Sequence, residues 1–124
     1  MAVGGIPDGR KGHPQNACKA ARDIIQVVAG LNTKRQVFGQ IPWEVRVGVH
    51  TGPIIAGFSS SGFDIWGDAV NLASRLESAS EAGKIQISES TRKFLGDDAD
   101  VTDRGHINLK NKGEIQTYFL NNIK

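Results

Sequence analysis

The sequence has few of the features that announce a chemistry. Among its 124 residues there is one cysteine, Cys18, so no internal disulfide can form. Cys18 falls inside an apolar helical pattern, where it reads as a small core residue and not as a nucleophile. No apolar run approaches the roughly 20 residues needed to cross a bilayer. The opening MAVGGIPDGRKG has no signal-type apolar stretch. Membrane insertion by this segment is therefore not expected, and a cytoplasmic setting is, with any membrane tether lying elsewhere in a parent protein. The formal net charge is only +2, which argues against a nucleic-acid partner. An anionic ligand would have to be held by a few placed cations. GxxxxGK[ST], GxGxxG, CxxC and HExxH are all missing. His13, His50 and His106 lie far apart, nothing in the sequence gathers them into a zinc site, and each reads as structural or surface.

What is present is an ordinary globular pattern for one domain spanning residues 1–124. Residues 1–12 read as a strand end and a loop. Pro14 suits the first turn of a helix, and Ala17, Ala20, Ala21, Ile24, Ile25, Val28 and Leu31 follow at helical spacing. Residues 30–42, with Gly30, Gly39 and Pro42, read as a loop. Trp43, Val45, Val47 and Val49 alternate with Glu44, Arg46, Gly48 and His50, which predicts a strand with one buried face. Ile54–Phe58 is apolar throughout and reads as a central strand. After the Ser59–Gly62 turn, Phe63–Gly67 reads as a short strand, and Asp68 as the N-cap of a helix through Leu76. Lys84–Ile87 predicts a strand, Ser88 caps a brief helix closed by Gly96, and Asp97, Asp98 and Asp100 read as a solvated turn. Val101–Leu109 and the alternating Ile115, Thr117 and Phe119 flank an Asn111-Lys112-Gly113 hairpin turn. The order predicts an α+β domain, one sheet with helices packed on a face.

The window FDIWGDAVNLASRLES is the most unusual. Asn71 and Arg75 are four apart on the predicted helix and share a face. An amide and a guanidinium aimed together near a helix N-terminus could receive an anion. Asp64 offers acceptors only, which suits an exocyclic amine. From spacing alone, two caps and a solvated polar stripe remain the blander account.

The same window resembles the purine-binding and transition-state segment of class III adenylyl and guanylyl cyclases. RVGVHTGPIIAGF, GKIQISEST and LKNKGEIQTYFL resemble further blocks of that family in the right order, and AVGGIP with HPQNACKAARDII extends the likeness from about Ala2 to Phe119. The resemblance implies a ferredoxin-like cyclase fold with a mixed, mainly antiparallel sheet. It implies that Asp64 and the backbone of Ile65 read adenine, that Asn71 orients the ribose, and that Arg75 stabilises charge at the α-phosphate. Lys112 would hold the terminal phosphates, with Asn111 in place of a common glycine. Guanylyl cyclases usually carry a cysteine or another residue where Asp64 stands, so ATP is the implied substrate and cyclic AMP the implied product.

The family's two metal aspartates, which bind two Mg2+ or Mn2+ ions, lie in a motif resembling FxDIxGFT and in a Gly-Asp pair. Both precede the segment resembling AVGGIP. Asp8, Asp23 and Asp64 match neither motif, so no metal ligand is assigned here, and a lysine that helps select adenine belongs to the same missing part. The fold is thus expected without its N-terminal strands, with an open sheet edge, an uncovered apolar face and a tendency to self-associate. Cyclase sites in this family form between two domains, in a homodimer or a paired half, so a second cyclase domain is the implied partner and the chain alone is expected to be inactive. A non-catalytic pseudo-cyclase, a dimerisation or nucleotide-binding module, and a guanylyl cyclase are the alternatives.

Overall fold

The computed structural model describes residues 13–52, 55–59, 62–109 and 113–124, and the side chains of these save 55–59, 62–66 and Leu109. The expected strand end at 1–12 and the tip of the last hairpin lie outside the described residues. The elements run α1 (His13–Val37), β1 (Val47–Val49), β2 (Ile55–Ser59), β3 (Gly62–Trp66), α2 (Asp68–Ala79), β4 (Ile85–Ser88), α3 (Glu89–Leu95), a 3-10 turn (Gly96–Asp98), β5 (Ala99–Leu109) and β6 (Gly113–Ile123).

Four strands form one sheet in the order β1-β4-β6-β5. Only β1 and β4 run parallel; β4–β6 and β6–β5 are antiparallel. The expected mixed, mainly antiparallel α+β architecture is what the chain adopts. Ile54–Phe58 departs from the reading as a central strand. Its described part, β2, pairs with β3 in a separate two-stranded ribbon, Ile55 opposite Trp66 and Gly57 opposite Asp64.

The helix from Pro14 does not stop at Gly30. A glycine inside a helix costs only about 1 kcal/mol, and α1 runs on to Val37 with Lys34 and Arg35 in its last turn, where cations oppose the helix dipole. The stop is Gly39, at φ 69. There Gly39 N donates to Gln36 O at 3.0 Å and Gln40 N to Arg35 O at 2.8 Å. The strand expected from Trp43 begins only at Val47, and the reason is local. Asn32 takes both backbone groups of Trp43, accepting from its N at 2.7 Å and donating to its O at 2.8 Å. Those groups are then unavailable to a ladder.

The sheet is covered on both sides. On one side Ile85 and Ile87 of β4 meet Cys18 and Ala21 of α1, Leu95 of α3, and Leu120 and Ile123 of β6, with Val47 and Val49 packed alongside. This is the helical face that the sequence foretells. The other side holds α2, because Gly48 points that way and has no side chain. A Cβ there would sit 2.6 Å from Ala73 O and 2.8 Å from Leu76 C, so helix backbone rests directly on strand backbone. Gln86, between Ile85 and Ile87, is fully buried on that side and donates to Thr117 Oγ1 at 2.9 Å.

Among the described residues β1 pairs with β4 alone and ends the sheet. On α1, Ile24, Val27 and Leu31 are exposed at helical spacing.

Two expectations follow. Gly48→Ala should destabilise the chain by at least about 2 kcal/mol in urea unfolding, through overpacking against immovable backbone. Gly30→Ala, whose new Cβ meets nothing within 4 Å, should stabilise it by about 0.5–1 kcal/mol. Equal effects would mean that α2 does not rest on β1. The second expectation concerns Cys18, whose burial pushes its thiol from an ordinary 9.0 up to about 11 because a thiolate would lose its hydration. The unfolded chain therefore gives up this proton first as pH rises. The stability tied to the neutral thiol is whole below about pH 9 and gone by about pH 11, a loss of roughly 2–3 kcal/mol. Unfolding of wild type and Cys18→Ala at about pH 8 and about pH 10.5 should show a gap that narrows by most of that amount.

Candidate functional site

The path from β3 into α2 has no slack. Trp66 ends the strand, Gly67 turns the chain at φ 127 and ψ 173, and Asp68 is already helical. That backbone conformation is open to glycine almost alone. Asp68 is thus not the N-cap expected from the sequence. Gly67 is, and its carbonyl accepts from Val70 N at 3.2 Å and Asn71 N at 3.4 Å. Asp68 sits instead in the first turn, where a carboxylate suits the positive end of the helix. Asp64 and Ile65 lie on β3, opposite Gly57 and Ala56 of β2, two or three residues before this turn. Their side chains are outside the described residues, as is Lys112.

Ala69 and Leu76 form the buried side of α2. Asn71 and Arg75 are both exposed on the opposite side, one helical turn apart. Among the described residues neither side chain has a hydrogen bond, and Arg75 has no carboxylate partner. The pair is held in place by the seating of α2, whose backbone rests on Gly48 and whose Ala69 and Leu76 are buried.

Beside α2 lies an open cleft of about 370 Å³ at the carboxyl ends of β1 and β4. His50, Leu72, Ser88, His106 and Glu114 are among its walls. Leu72 of α2 and Glu114 of β6 thus border one hollow. A second hollow of about 310 Å³, with Arg22, Lys84 and Phe119 in its wall, lies at the other end of β4.

Sequence reasoning missed the polar cluster behind this cleft. Nδ1 of His50 is 2.8 Å from Ser88 Oγ, and Thr51 Oγ1 is 2.9 Å from Thr91 Oγ1. Ser90 Oγ donates to Thr51 O at 2.7 Å, and Ser88 Oγ accepts from Thr91 N at 3.3 Å as the α3 cap. Ser88 is the cap expected from the sequence. Its second partner, 38 residues upstream, had no local signature.

The pattern that defines the adenylate and guanylate cyclase catalytic domain matches residues 1–122. The chain belongs to that family. This cyclase domain is 42% identical over 123 residues to an adenylate cyclase of Mycobacterium tuberculosis, covering 97% of this chain and 27% of that protein. It superimposes on the crystal structure of the adenylyl cyclase CyaB from P. aeruginosa with a TM-score of 0.87 and 31% identity, over 96% of this chain and 65% of that one. It matches the guanylate cyclase domain of RhGC from Catenaria anguillulae, solved in complex with GTP, with a TM-score of 0.86 and 30% identity, over 100% of this chain and 71% of that one. The cyclase domain described here thus spans just over a quarter of the mycobacterial protein's length.

Cyclase domains are generally metal-dependent. Among the described residues no group of three or more His, Cys, Asp or Glu side chains could hold a metal ion. What they provide is an amide, a guanidinium and a cleft. Because the exposed side chains of Asn71 and Arg75 make no hydrogen bond or ion pair among the described residues, Asn71→Ala and Arg75→Ala should each shift unfolding free energy by no more than about 0.5 kcal/mol. A loss above about 2 kcal/mol in either variant would make that side chain part of the scaffold.

Proposed function

We propose that this chain is the nucleotide-reading part of a class III adenylyl cyclase site, which forms 3',5'-cyclic AMP and pyrophosphate from ATP. The observation that carries the reading is the pairing of Asn71 and Arg75 on the exposed, unengaged side of a helix that is itself rigidly seated. On this reading, a guanidinium kept in fixed register meets charge brought by a ligand.

On this reading the ribose 3'-oxygen attacks the α-phosphorus, the bond to the pyrophosphate oxygen breaks, and the 3'-hydroxyl proton leaves to solvent. Little covalent work falls to the protein, so positioning and electrostatics dominate. Asp64 accepts from the adenine exocyclic amine, while the Ile65 backbone meets the same base edge. Asn71 fixes the ribose and Lys112 the terminal phosphates. Arg75 meets charge that grows on the α-phosphate, so its contribution is larger in the transition state than in the bound substrate. Metal chemistry would be supplied by ligands outside the described residues, from a second cyclase domain facing α2. Exposure of Asn71 and Arg75 agrees with a site completed by another domain.

A second reading, nucleotide binding without turnover, is favoured by the lack of a metal-holding cluster among the described residues. The test mixes this chain with a cyclase domain that keeps its metal carboxylates but has lost its own counterpart of Arg75. Cyclic AMP should form from ATP in the mixture and not from the chain alone. Arg75→Ala in this chain should lower turnover at least about 100-fold and change ATP affinity far less. An Arg75→Ala chain as effective as wild type would refute the assignment, and cyclic GMP formed from GTP in preference would move it to guanylyl specificity.

A further inference from the structure

We infer that Asp103 is a positioning residue that fixes the root of an arm of the β5–β6 hairpin, and so sets where Lys112 reaches. The part played by Lys112 rests on the cyclase reading; the fixing of the arm does not.

β4 pairs with β6 over Thr117–Leu120 only, with Ser88 opposite Thr117 and Ile85 opposite Leu120. β5 and β6 stay paired past that point, from Gly105 opposite Thr117 to Leu109 opposite Gly113. Among the described residues, 106–109 and 113–116 thus form a two-stranded arm that extends past the last pair with β4. At about 3.4 Å per residue the arm is roughly 14 Å long. Lys112 is joined directly to its end at Gly113. A turn of about 10° at the root would carry that end about 2 Å. His106, Glu114, Ile115 and Gln116 of the arm line the cleft that Leu72 of α2 borders.

The root is a bulge. The register steps from Asp103 opposite Tyr118 to Gly105 opposite Thr117, which leaves Arg104 without a cross-strand partner. A bulge bends its strand and raises the local twist, so it decides the direction in which the arm departs. Gly105 holds φ 92, a conformation that side chains rarely adopt. Its N donates to Asp103 Oδ1 at 2.7 Å, and its O accepts from Thr117 Oγ1 at 2.9 Å. Thr117 Oγ1 in turn accepts from Nε2 of Gln86 on β4 at 2.9 Å, and both of these residues are fully buried. The same Asp103 oxygen accepts from Gln116 Nε2 at 2.5 Å, across the strands. One carboxylate oxygen therefore joins the strand before the bulge, the glycine after it and the first pair of the arm, Gln116 opposite His106. Gln86 and Thr117 fix the bulge to the sheet, and Asp103 fixes the arm to the bulge.

Asp103→Ala removes that oxygen, while Asp103→Asn keeps an oxygen acceptor and loses the charge. The mechanical measurement is amide hydrogen exchange on the full chain without ligand. In Asp103→Ala the amide of Gly105 and the ladder amides of the arm should exchange about tenfold faster, the loss of roughly one net hydrogen bond. Ladder amides between β4 and β6 should stay within about twofold. Asp103→Asn should stay near wild type at both. In the mixture that forms cyclic AMP, Asp103→Ala should raise KM for ATP at least about fivefold and change kcat less. A displaced Lys112 weakens a hold on the terminal phosphates that substrate and transition state share. Asp103→Asn should restore KM. In a Lys112→Ala background, Asp103→Ala should change KM less than about twofold, because its effect passes through Lys112. A carboxylate that only stabilised the hairpin would act alike in both backgrounds.

Unchanged exchange in the arm of Asp103→Ala overturns the inference, as does an equal rise in KM with and without Lys112. An Asp103→Asn variant that behaves like Asp103→Ala also overturns it, since charge and not position would then be at work. If Asp103→Ala does not fold, Gly105→Ala takes its place with the same expected pattern. A Cβ there meets nothing within 4 Å, so the substitution disturbs only the backbone of the bulge. If the wild-type mixture makes no cyclic nucleotide, the cyclase reading fails, while exchange still decides whether Asp103 fixes the arm.

Discussion

The contact on which the site depends is backbone against backbone, where α2 crosses β1 at Gly48. Any side chain at that point would force the helix away from the sheet, since the nearest helix atoms are main-chain atoms with nowhere to move. From that seat the rest follows. The buried side of α2, Ala69 and Leu76, faces inward, so Asn71 and Arg75 must face out, and the turn at Gly67 delivers β3 to the same place. A helix fixed by its backbone can leave its polar face free of structural duties, and that is the condition a site for an anionic ligand requires.

The two sides of the sheet do different work. Under α1 and α3 lies an apolar core built from Cys18, Ile85, Ile87 and Leu120, and its stabilisation scales with area removed from water. Over α2 the contacts are tight and partly polar, with Gln86 and Thr117 fully buried and bonded to each other. The first side gives the domain most of its cohesion. The second gives it geometry, because hydrogen bonds and backbone contacts tolerate less displacement than aliphatic packing does.

Most elements were legible in the sequence because their periodicities are clean. The helix beginning near Pro14, the Ser88 cap, the stop at Gly96 and the final hairpin strands all lie where local chemistry puts them. What was not legible is decided by partners distant in sequence. The strand expected from Trp43 was cut short by Asn32, eleven residues upstream. Gly30 looked like a boundary because glycine is a poor helix former, yet the terminating geometry belongs to Gly39. Gly48 read as one of the outward positions of an alternating strand, and only α2 shows it to be an inward position on a second side. Of the candidate site, the spacing of Asn71 and Arg75 could be read as a shared helical face. Their lack of hydrogen-bond or ion-pair partners among the described residues could not, nor could the His50–Ser88 bond, since neither is a property of any short window.

Among the described residues, no ladder joins the ribbon of β2 and β3 to the main sheet. A pair of strands outside the main ladder can change without breaking the hydrogen bonds of the four-stranded sheet. If the ribbon bears the groups that tell one purine from another, while the helix beyond Gly67 bears those that handle charge, then discrimination and reactivity sit on separately suspended parts. Evolution could retune the first by altering the ribbon and leave the second untouched. Such an arrangement gives one scaffold a short route between two nucleotide substrates.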